Sequence, residues 1–317
     1  MKIAFFEVSK TEQSIFVQAF SGAEVSFCEE KLNEENVNKV KDAEIICVFK
    51  DSLVGKNVID AIPNLKFIAT RTTGFDFIDC EYAKTKGVKV SNVPAYGSET
   101  VAEFAFALLL TLSRKIREAN QALKDNGDYF IPKNLQGFDL NGKTLGVIGT
   151  GKIGKNVIEI AHGFDMNVLA YDLYPDTKFA MENGFVYKTL EEVLSQSDVV
   201  TLHAPYTKEN HHLINKNNIS LFKKGAYLIN TARGELIETE ALVGALQDGT
   251  IAGAGLDVLE GENEFKKGDT IPMLKMSNVV MTPHIAFNTR EAETRILQTT
   301  TDNIKGFLSG SPINLVN

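Results

Sequence analysis

Short apolar, β-branched runs recur along almost the whole chain, separated by stretches with helical periodicity. The pattern predicts strands at Lys2–Phe6, Ala23–Phe27, Glu44–Phe49, Leu65–Thr70 and Val88–Asn92. A second series follows at Val168–Asp172, Asp198–Leu202, Ala226–Asn230, Ala252–Asp257 and Val279–Met281. Most of these runs lack polar alternation, as expected of strands covered on both faces of a parallel sheet. Between them the periodicity predicts helices, among them Lys152–Phe164, Leu190–Ser195 and Thr239–Gln247, the last stopped by Asp248-Gly249. Alternation on this scale means an α/β protein with parallel sheets and helices on both faces. A long helix over Thr100–Arg117 is apolar almost all round, which points to burial between domains or at a subunit interface. The final helix, Arg290–Leu308, follows the last strand and is placed to cross back to the N-terminal part. The charged stretch Glu262–Asp269 reads as a solvated loop apart from its first residue.

One of the apolar runs empties into glycines. Residues 144–154 read TLGVIGTGKIG, so a strand leads directly into Gly149-x-Gly151-x-x-Gly154 and a helix starting near Lys152-Ile153. Gly149 permits the tight turn, Gly151 lets backbone approach a diphosphate, and Gly154 lets helix and strand pack closely. The helix N-terminus, with free N–H groups and a favourable dipole, then receives the anion. Asp172 closes the next apolar run, VLAYD, 23 residues beyond Gly149, where a carboxylate accepts hydrogen bonds from ribose hydroxyls. An ordinary tight turn would account for the glycines, but for neither the spacing nor the acid. A 2′-phosphate would lie beside this carboxylate with no cation at Leu173 or Tyr174 to offset it, so the cofactor expected is NAD rather than NADP.

Length and composition narrow the rest. At 317 residues the chain is long for one core, and the mid-chain position of the glycine motif requires a separate α/β unit before it. We expect a discontinuous first domain, residues 1–97 with 290–317, and a dinucleotide-binding domain over 98–289. The net charge of −8 argues against a nucleic-acid partner. No apolar run is long enough for a membrane span, and MKIAFFEV lacks a signal-peptide layout. Cys28, Cys47 and Cys80 form no metal-binding pattern and read as free thiols, so the expected location is the cytoplasm, with no metal.

Three polar residues follow strand tips downstream of the glycine motif. Arg233 lies in LINTARGELI, Glu262 in GLDVLEGE and His284 in VVMTPHIAF, all on the edge where ligands of such sheets bind. Each alone has a bland reading: a surface arginine, an exposed loop acid, a structural histidine. Together they match the needs of 2-hydroxy or 2-keto acid chemistry. Such chemistry takes a planar cation for the carboxylate, a proton carrier at the carbonyl oxygen and an acid to tune that carrier.

The segments VIGTGKIG, LHAPYTKENHHLIN, LINTARGELI, AGAGLDVLEGE and NVVMTPHIAFNT, in that order, make the chain resemble the D-isomer-specific 2-hydroxyacid dehydrogenases over essentially its whole length. The resemblance implies two doubly wound parallel-sheet domains, a Rossmann-type dinucleotide-binding domain and a flavodoxin-like substrate domain, with a cleft between. It implies that Arg233 binds the substrate carboxylate, that His284 carries the proton and that Glu262 orients it and favours its charged form. Asp257 would hold the nicotinamide carboxamide, Thr231-Ala232 would line the nicotinamide pocket, and His203-Ala204-Pro205 would lie beneath the adenosine. On the substrate side it implies backbone contacts at Thr73 and Gly74. Tyr96 and an aromatic residue after the histidine, Phe287, look like the D-lactate dehydrogenase branch. Phe49 reads either as a wall for the substrate side chain or as a buried strand residue. Phe104 and Glu99 depart from residues common in the family and blur the substrate. The expected reaction is NADH-dependent reduction of pyruvate or an apolar homologue to the D-hydroxy acid, by an enzyme that is usually a homodimer. A glyoxylate or hydroxypyruvate reductase is the alternative, and an NAD-sensing interaction protein of the same fold a further one.

Overall fold

A computed structural model describes residues 1–127, 129, 135–262, 265, 268 and 270–317. Most of the predicted loop over 262–269 therefore lies outside the described residues. The chain divides into two compact units, Met1–Tyr96 with Thr289–Asn317, and Gly97–Asn288.

In the first unit the apolar runs become β1 (Lys2–Phe6), β2 (Glu24–Cys28), β3 (Ile45–Val48), β4 (Phe67–Thr70) and β5 (Lys89–Ser91). Helices α1 (Lys10–Ala19), α2 (Lys56–Asp60) and α3 (Cys80–Thr85) connect them. The sheet order is β2-β1-β3-β4-β5 with every pair parallel, the flavodoxin-like arrangement. Strands β3 and β4 are buried at every position, because helices cover both faces. Ser9 starts α1 as half of a capping box with Glu12.

The second unit begins with α4 (Ser98–Ser113) and α5 (Ile116–Asn126). It continues through β6 (Thr144–Ile148), α6 (Lys152–Gly163), β7 (Asn167–Tyr171), α7 (Thr177–Asn183), β8 (Val186–Tyr187), α8 (Leu190–Gln196) and β9 (Val199–Leu202). It closes with β10 (Ala226–Asn230), α9 (Thr239–Asp248), β11 (Ile251–Leu256) and β12 (Val279–Met281). The sheet runs β12-β11-β10-β9-β6-β7-β8, all parallel, so the order reverses beside β6. That is the Rossmann arrangement, with its ligand crevice at the carboxyl ends of the strands flanking the reversal.

The predicted helix over Thr100–Arg117 is corrected in its bounds. It spans Ser98–Ser113, Lys115 turns to φ 54°, and a separate helix starts at Ile116. Within the second unit its Ala105, Phe106, Leu109 and Leu112 join the core around β6 and α6. A Cβ at Gly255 of β11 would lie 2.9 Å from the Leu108 Cβ, so α4 packs directly on the sheet. The last helix, α10 (Arg290–Leu308), belongs to the first unit, where Leu297 and Ile304 pack with Phe67 and the apolar side of α1. Among the described residues no helix is long and apolar enough to cross a membrane.

Candidate active site

The glycine turn between β6 and α6 is fixed by close approach. Gly149 has φ 91°, and a Cβ there would lie 2.5 Å from the Ala204 amide nitrogen. A Cβ at Gly154 would lie 2.1 Å from the Gly149 carbonyl oxygen, while one at Gly151 would meet nothing within 4 Å. The first and third glycines thus allow loop and helix to meet, and the second faces open space in front of the α6 N-terminus, with Lys152 exposed and Ile153 half-buried behind it. Asp172 follows β7. Its Oδ2 accepts from the Thr150 N–H at 2.6 Å and the Thr150 hydroxyl at 2.9 Å, and its Oδ1 accepts from the Tyr174 N–H at 2.8 Å. The Thr150 hydroxyl also lies 2.9 Å from that of Tyr187. Thr150 and Tyr187 had no signal in the sequence beyond their polarity; they hold the carboxylate in place at the edge of the anion site.

His203 follows β9 and is buried, with Nε2 at 2.8 Å from the Thr201 hydroxyl. Burial pulls its pKa down to about 3, so the ring is neutral and cannot serve as an imidazolium acid near neutral pH. Its Nδ1 and the Thr231 hydroxyl are buried polar atoms without a hydrogen-bond partner. Ala204 is half-buried and Pro205 exposed beside it. An open helix N-terminus, a carboxylate at the tip of the next strand with one acceptor position left, and two unmatched buried polar atoms nearby fit a dinucleotide.

Arg233, Glu262 and His284 follow β10, β11 and β12, three neighbouring strands. Their loops interlock. Asn230 organises the first: its Oδ1 accepts from the Ala232 N–H at 2.9 Å and its amide donates to the Arg233 carbonyl at 2.8 Å. The Arg233 Nη1 donates to the Ala232 carbonyl at 2.8 Å. Gly234 then passes so near the second loop that a Cβ would lie 1.9 Å from the Leu259 carbonyl carbon. This is why glycine follows arginine in ARGE, a signal the motif contained but spacing did not decode.

In the second loop Gly261 turns at φ 69°, and the Leu259 N–H donates to Glu262 Oε2 at 3.0 Å. Glu262 Oε1 and His284 Nδ1 are in direct hydrogen-bond contact, with both side chains roughly three-quarters buried. Nearby, Glu260 ties this loop to two others, accepting from Thr239 and contacting His212 Nε2 at 2.5 Å. Burial pushes the Glu260 carboxyl up, but the bonds from His212 and Thr239 outweigh it and hold it below the usual range. Metal ligands around one ion stand farther apart than 2.5 Å, so this pair is a direct tie.

The third loop is organised by Asp257. That residue is 1 % exposed, and its carboxylate serves the turn carrying His284. Oδ1 accepts from the Thr282 hydroxyl at 2.6 Å and the Ile285 N–H at 2.9 Å, and Oδ2 from the Ala286 N–H at 2.7 Å. The Asp257 carbonyl accepts from the His284 N–H at 2.8 Å. His284 itself has φ 53°, a left-handed conformation costly for a non-glycine residue. Three of about four carboxylate acceptor positions are thus taken, leaving at most one for a carboxamide.

The remaining site residues belong to the first unit. The turn after β4 is tied to the strand beside it: the Thr73 hydroxyl donates to the Val93 carbonyl at 2.8 Å and the Asn92 amide to the Thr73 carbonyl at 2.7 Å. Thr72 closes the turn through the Gly74 carbonyl at 2.5 Å. The half-buried Tyr96 accepts from Arg295 Nε at its carbonyl, 2.6 Å. Phe49, past the end of β3, is half-buried rather than sealed in the core.

A family model described as D-isomer specific 2-hydroxyacid dehydrogenase, NAD binding domain, matches residues 106–286. The chain is 37% identical to D-lactate dehydrogenase of Escherichia coli over 98% of each chain. It is 39% identical to hydroxypyruvate reductase of Blautia hydrogenotrophica, over 90% of this chain and 88% of that one. A crystal structure of D-lactate dehydrogenase from Aquifex aeolicus, complexed with NAD and lactic acid, superposes with a TM-score of 0.92 at 38% identity, covering 99% and 98% of the two chains.

Proposed function

This chain belongs to the D-isomer-specific 2-hydroxyacid dehydrogenase family and uses NAD, and from that premise we propose that it reduces pyruvate or an apolar homologue to the D-2-hydroxy acid. The observation that carries the reading is the Glu262–His284 contact on loops locked to that of Arg233. The residues that would hold NAD are Gly149, Gly151, Lys152, Ile153, Gly154 and Asp172, with His203, Ala204, Pro205, Thr231, Ala232 and the one remaining acceptor of Asp257. The bound reduced cofactor supplies the hydride to the carbonyl carbon. Arg233 clamps the 2-keto acid carboxylate through its planar fork and fixes the position of the carbonyl. Negative charge grows on the carbonyl oxygen, and His284 delivers a proton to it from Nε2, the nitrogen not engaged by Glu262. Glu262 holds the ring in place through Nδ1. In the first unit we assign substrate contacts to Thr73, Gly74 and Tyr96, and the wall against the C3 substituent to Phe49.

The test is NADH oxidation by the purified protein against pyruvate, 2-ketoisocaproate, phenylpyruvate, hydroxypyruvate and glyoxylate, with NADPH in parallel and product chirality determined. Fast conversion of pyruvate or an apolar homologue to the D-acid is expected. Preference for glyoxylate or hydroxypyruvate, the substrates named for other relatives, would replace this reading by the reductase one. NADH binding without turnover would favour a sensor. Family membership also leads us to infer a homodimer, checked by light scattering in solution.

A further inference from the structure

Arg71 is an unusual residue to find buried beside Phe49. It follows β4, is 1 % exposed and is the largest fully buried side chain in the described structure. A charge at that depth requires partners. Its guanidinium donates to the Phe6 carbonyl at 2.9 Å and the Glu7 carbonyl at 2.5 Å, and pairs with Glu12 in the first turn of α1. The guanidinium lies over the Phe49 ring, with Cζ 4.8 Å from the ring centroid. Glu7, turned to φ 54°, completes the frame from the other side. Its Oε2 accepts from the Phe49 N–H at 3.1 Å, its Oε1 from the Asp51 N–H at 3.0 Å, and it also bonds the Ser52 hydroxyl. Glu7, Phe49 and Arg71 thus stand at the carboxyl ends of the adjacent strands β1, β3 and β4.

We infer that Arg71 is a positioning residue that sets the size of the acyl side chain accepted, by fixing the Phe49 ring from beneath. The inference rests on the proposed function, since it takes Phe49 as the wall beside C3 of the keto acid. The argument is one of degrees of freedom. Glu7 holds the backbone of Phe49, and the Arg71 guanidinium over the ring adds a contact on the side chain itself. Such a cation–ring contact, with the cation buried, is strong enough to change a population by up to about tenfold. With the ring held, a branched or aromatic substituent must displace it against Arg71, whereas the methyl of pyruvate need not. A lysine would keep the charge for Glu12 but offer no planar surface to the ring.

The experiment measures kcat/KM for pyruvate, 2-ketobutyrate and 2-ketoisocaproate in the wild type, Arg71→Lys, Arg71→Met, Phe49→Ala and the double variant Arg71→Met with Phe49→Ala. Both Arg71 variants are expected to raise the 2-ketoisocaproate to pyruvate ratio about tenfold, chiefly through KM of the longer substrate. In the Phe49→Ala background, Arg71→Met should leave the ratio as it is. A role in charge balance alone would be rescued by lysine, and a general loss of packing would lower both substrates together. An unchanged ratio in soluble Arg71 variants overturns the inference, as does a shift that persists without Phe49. If the Arg71 variants do not fold, Glu12→Gln decides. It loosens the guanidinium while leaving its two carbonyl bonds, so the ratio should rise, and an unchanged ratio refutes the role. A wild type inactive on every keto acid would overturn the functional reading and this inference with it, an outcome distinct from activity with unaltered selectivity.

Discussion

Asp257 offers a sharp test, because the family resemblance gives its carboxylate to the nicotinamide carboxamide while three of its acceptor positions serve the turn carrying His284. In Asp257→Asn the shape is kept and the charge removed. Suppose the amide oxygen takes the place of Oδ1, keeping the bonds from Thr282 and Ile285. Both weaken, by about 1 kcal/mol each, when the acceptor is neutral. The amide nitrogen then faces the buried Ala286 N–H, whose unmet donor costs about 1–3 kcal/mol. The opposite orientation saves Ala286 and loses the other two bonds. Either way the turn loses roughly 3 kcal/mol, more than the roughly 1–2 kcal/mol stored in the left-handed conformation of His284. The turn therefore relaxes and takes the imidazole out of line. At 1.4 kcal/mol per tenfold, kcat for keto acid reduction should fall by about two orders of magnitude. NADH affinity should change by less than about threefold, since at most one acceptor position was free for the cofactor. Stopped-flow turnover gives the first quantity. Titration of NADH fluorescence gives the second, uncomplicated by tryptophan because the chain has none. Retained kcat with strongly weakened NADH binding would refute the reasoning and return Asp257 to the carboxamide.

Three further outcomes are expected. Glu262→Gln keeps a group able to meet the Leu259 N–H but removes the anion beside His284; kcat/KM for the keto acid should drop by about a hundredfold with NADH affinity intact, as read by the same two assays. Asp172→Ala removes the carboxylate we assign to the ribose hydroxyls and to the repulsion of a 2′-phosphate, so KM for NADH should rise about tenfold while the preference over NADPH shrinks in parallel initial-rate measurements. His203 ties stability to pH: its pKa is depressed to about 3 in the folded protein from the ordinary 6.5, so the unfolded chain binds one more proton between those values. Stability should then fall as pH drops below about 6.5, by up to about 1.4 kcal/mol per pH unit from this residue, and His203→Asn should flatten that slope in urea unfolding at pH 7, 6 and 5.

Local pattern carried the sheets. Strands Lys2–Phe6, Ala226–Asn230 and Val279–Met281 have the bounds their apolar runs predict, because strands covered on both faces have little polar sequence to blur them. The helix over Thr100–Arg117 was overextended, since Arg114-Lys115 is a good helical pair by propensity and only the tertiary turn at Lys115 ends it. Arg233, Glu262 and His284 were legible as residues following strand tips. What holds them was not. Gly234 is one glycine among 24 until the backbone of Leu259 is placed beside it. The Asp257 carboxylate reaches residues 25 to 29 positions away, a distance no local window spans. Arg71 carried no signal at all, because nothing local reveals that Phe6, Glu7 and Glu12 converge on it.

The first unit is built from both ends of the chain. Helix α10 packs on β4, Leu315 bridges Ser91, and the Asn317 side chain bonds the Val90 N–H and the Val88 carbonyl. Roughly 190 residues of the other unit are made in between. On a ribosome adding about 5–20 residues each second, strands β1 to β5 wait on the order of ten to forty seconds for the segment that covers them. Meanwhile the Gly97–Asn288 unit has emerged whole. The second unit is thus available to fold before the first unit's last segment is made, and until α10 arrives the first unit's face around Phe67 stays open to chaperones and to other nascent chains.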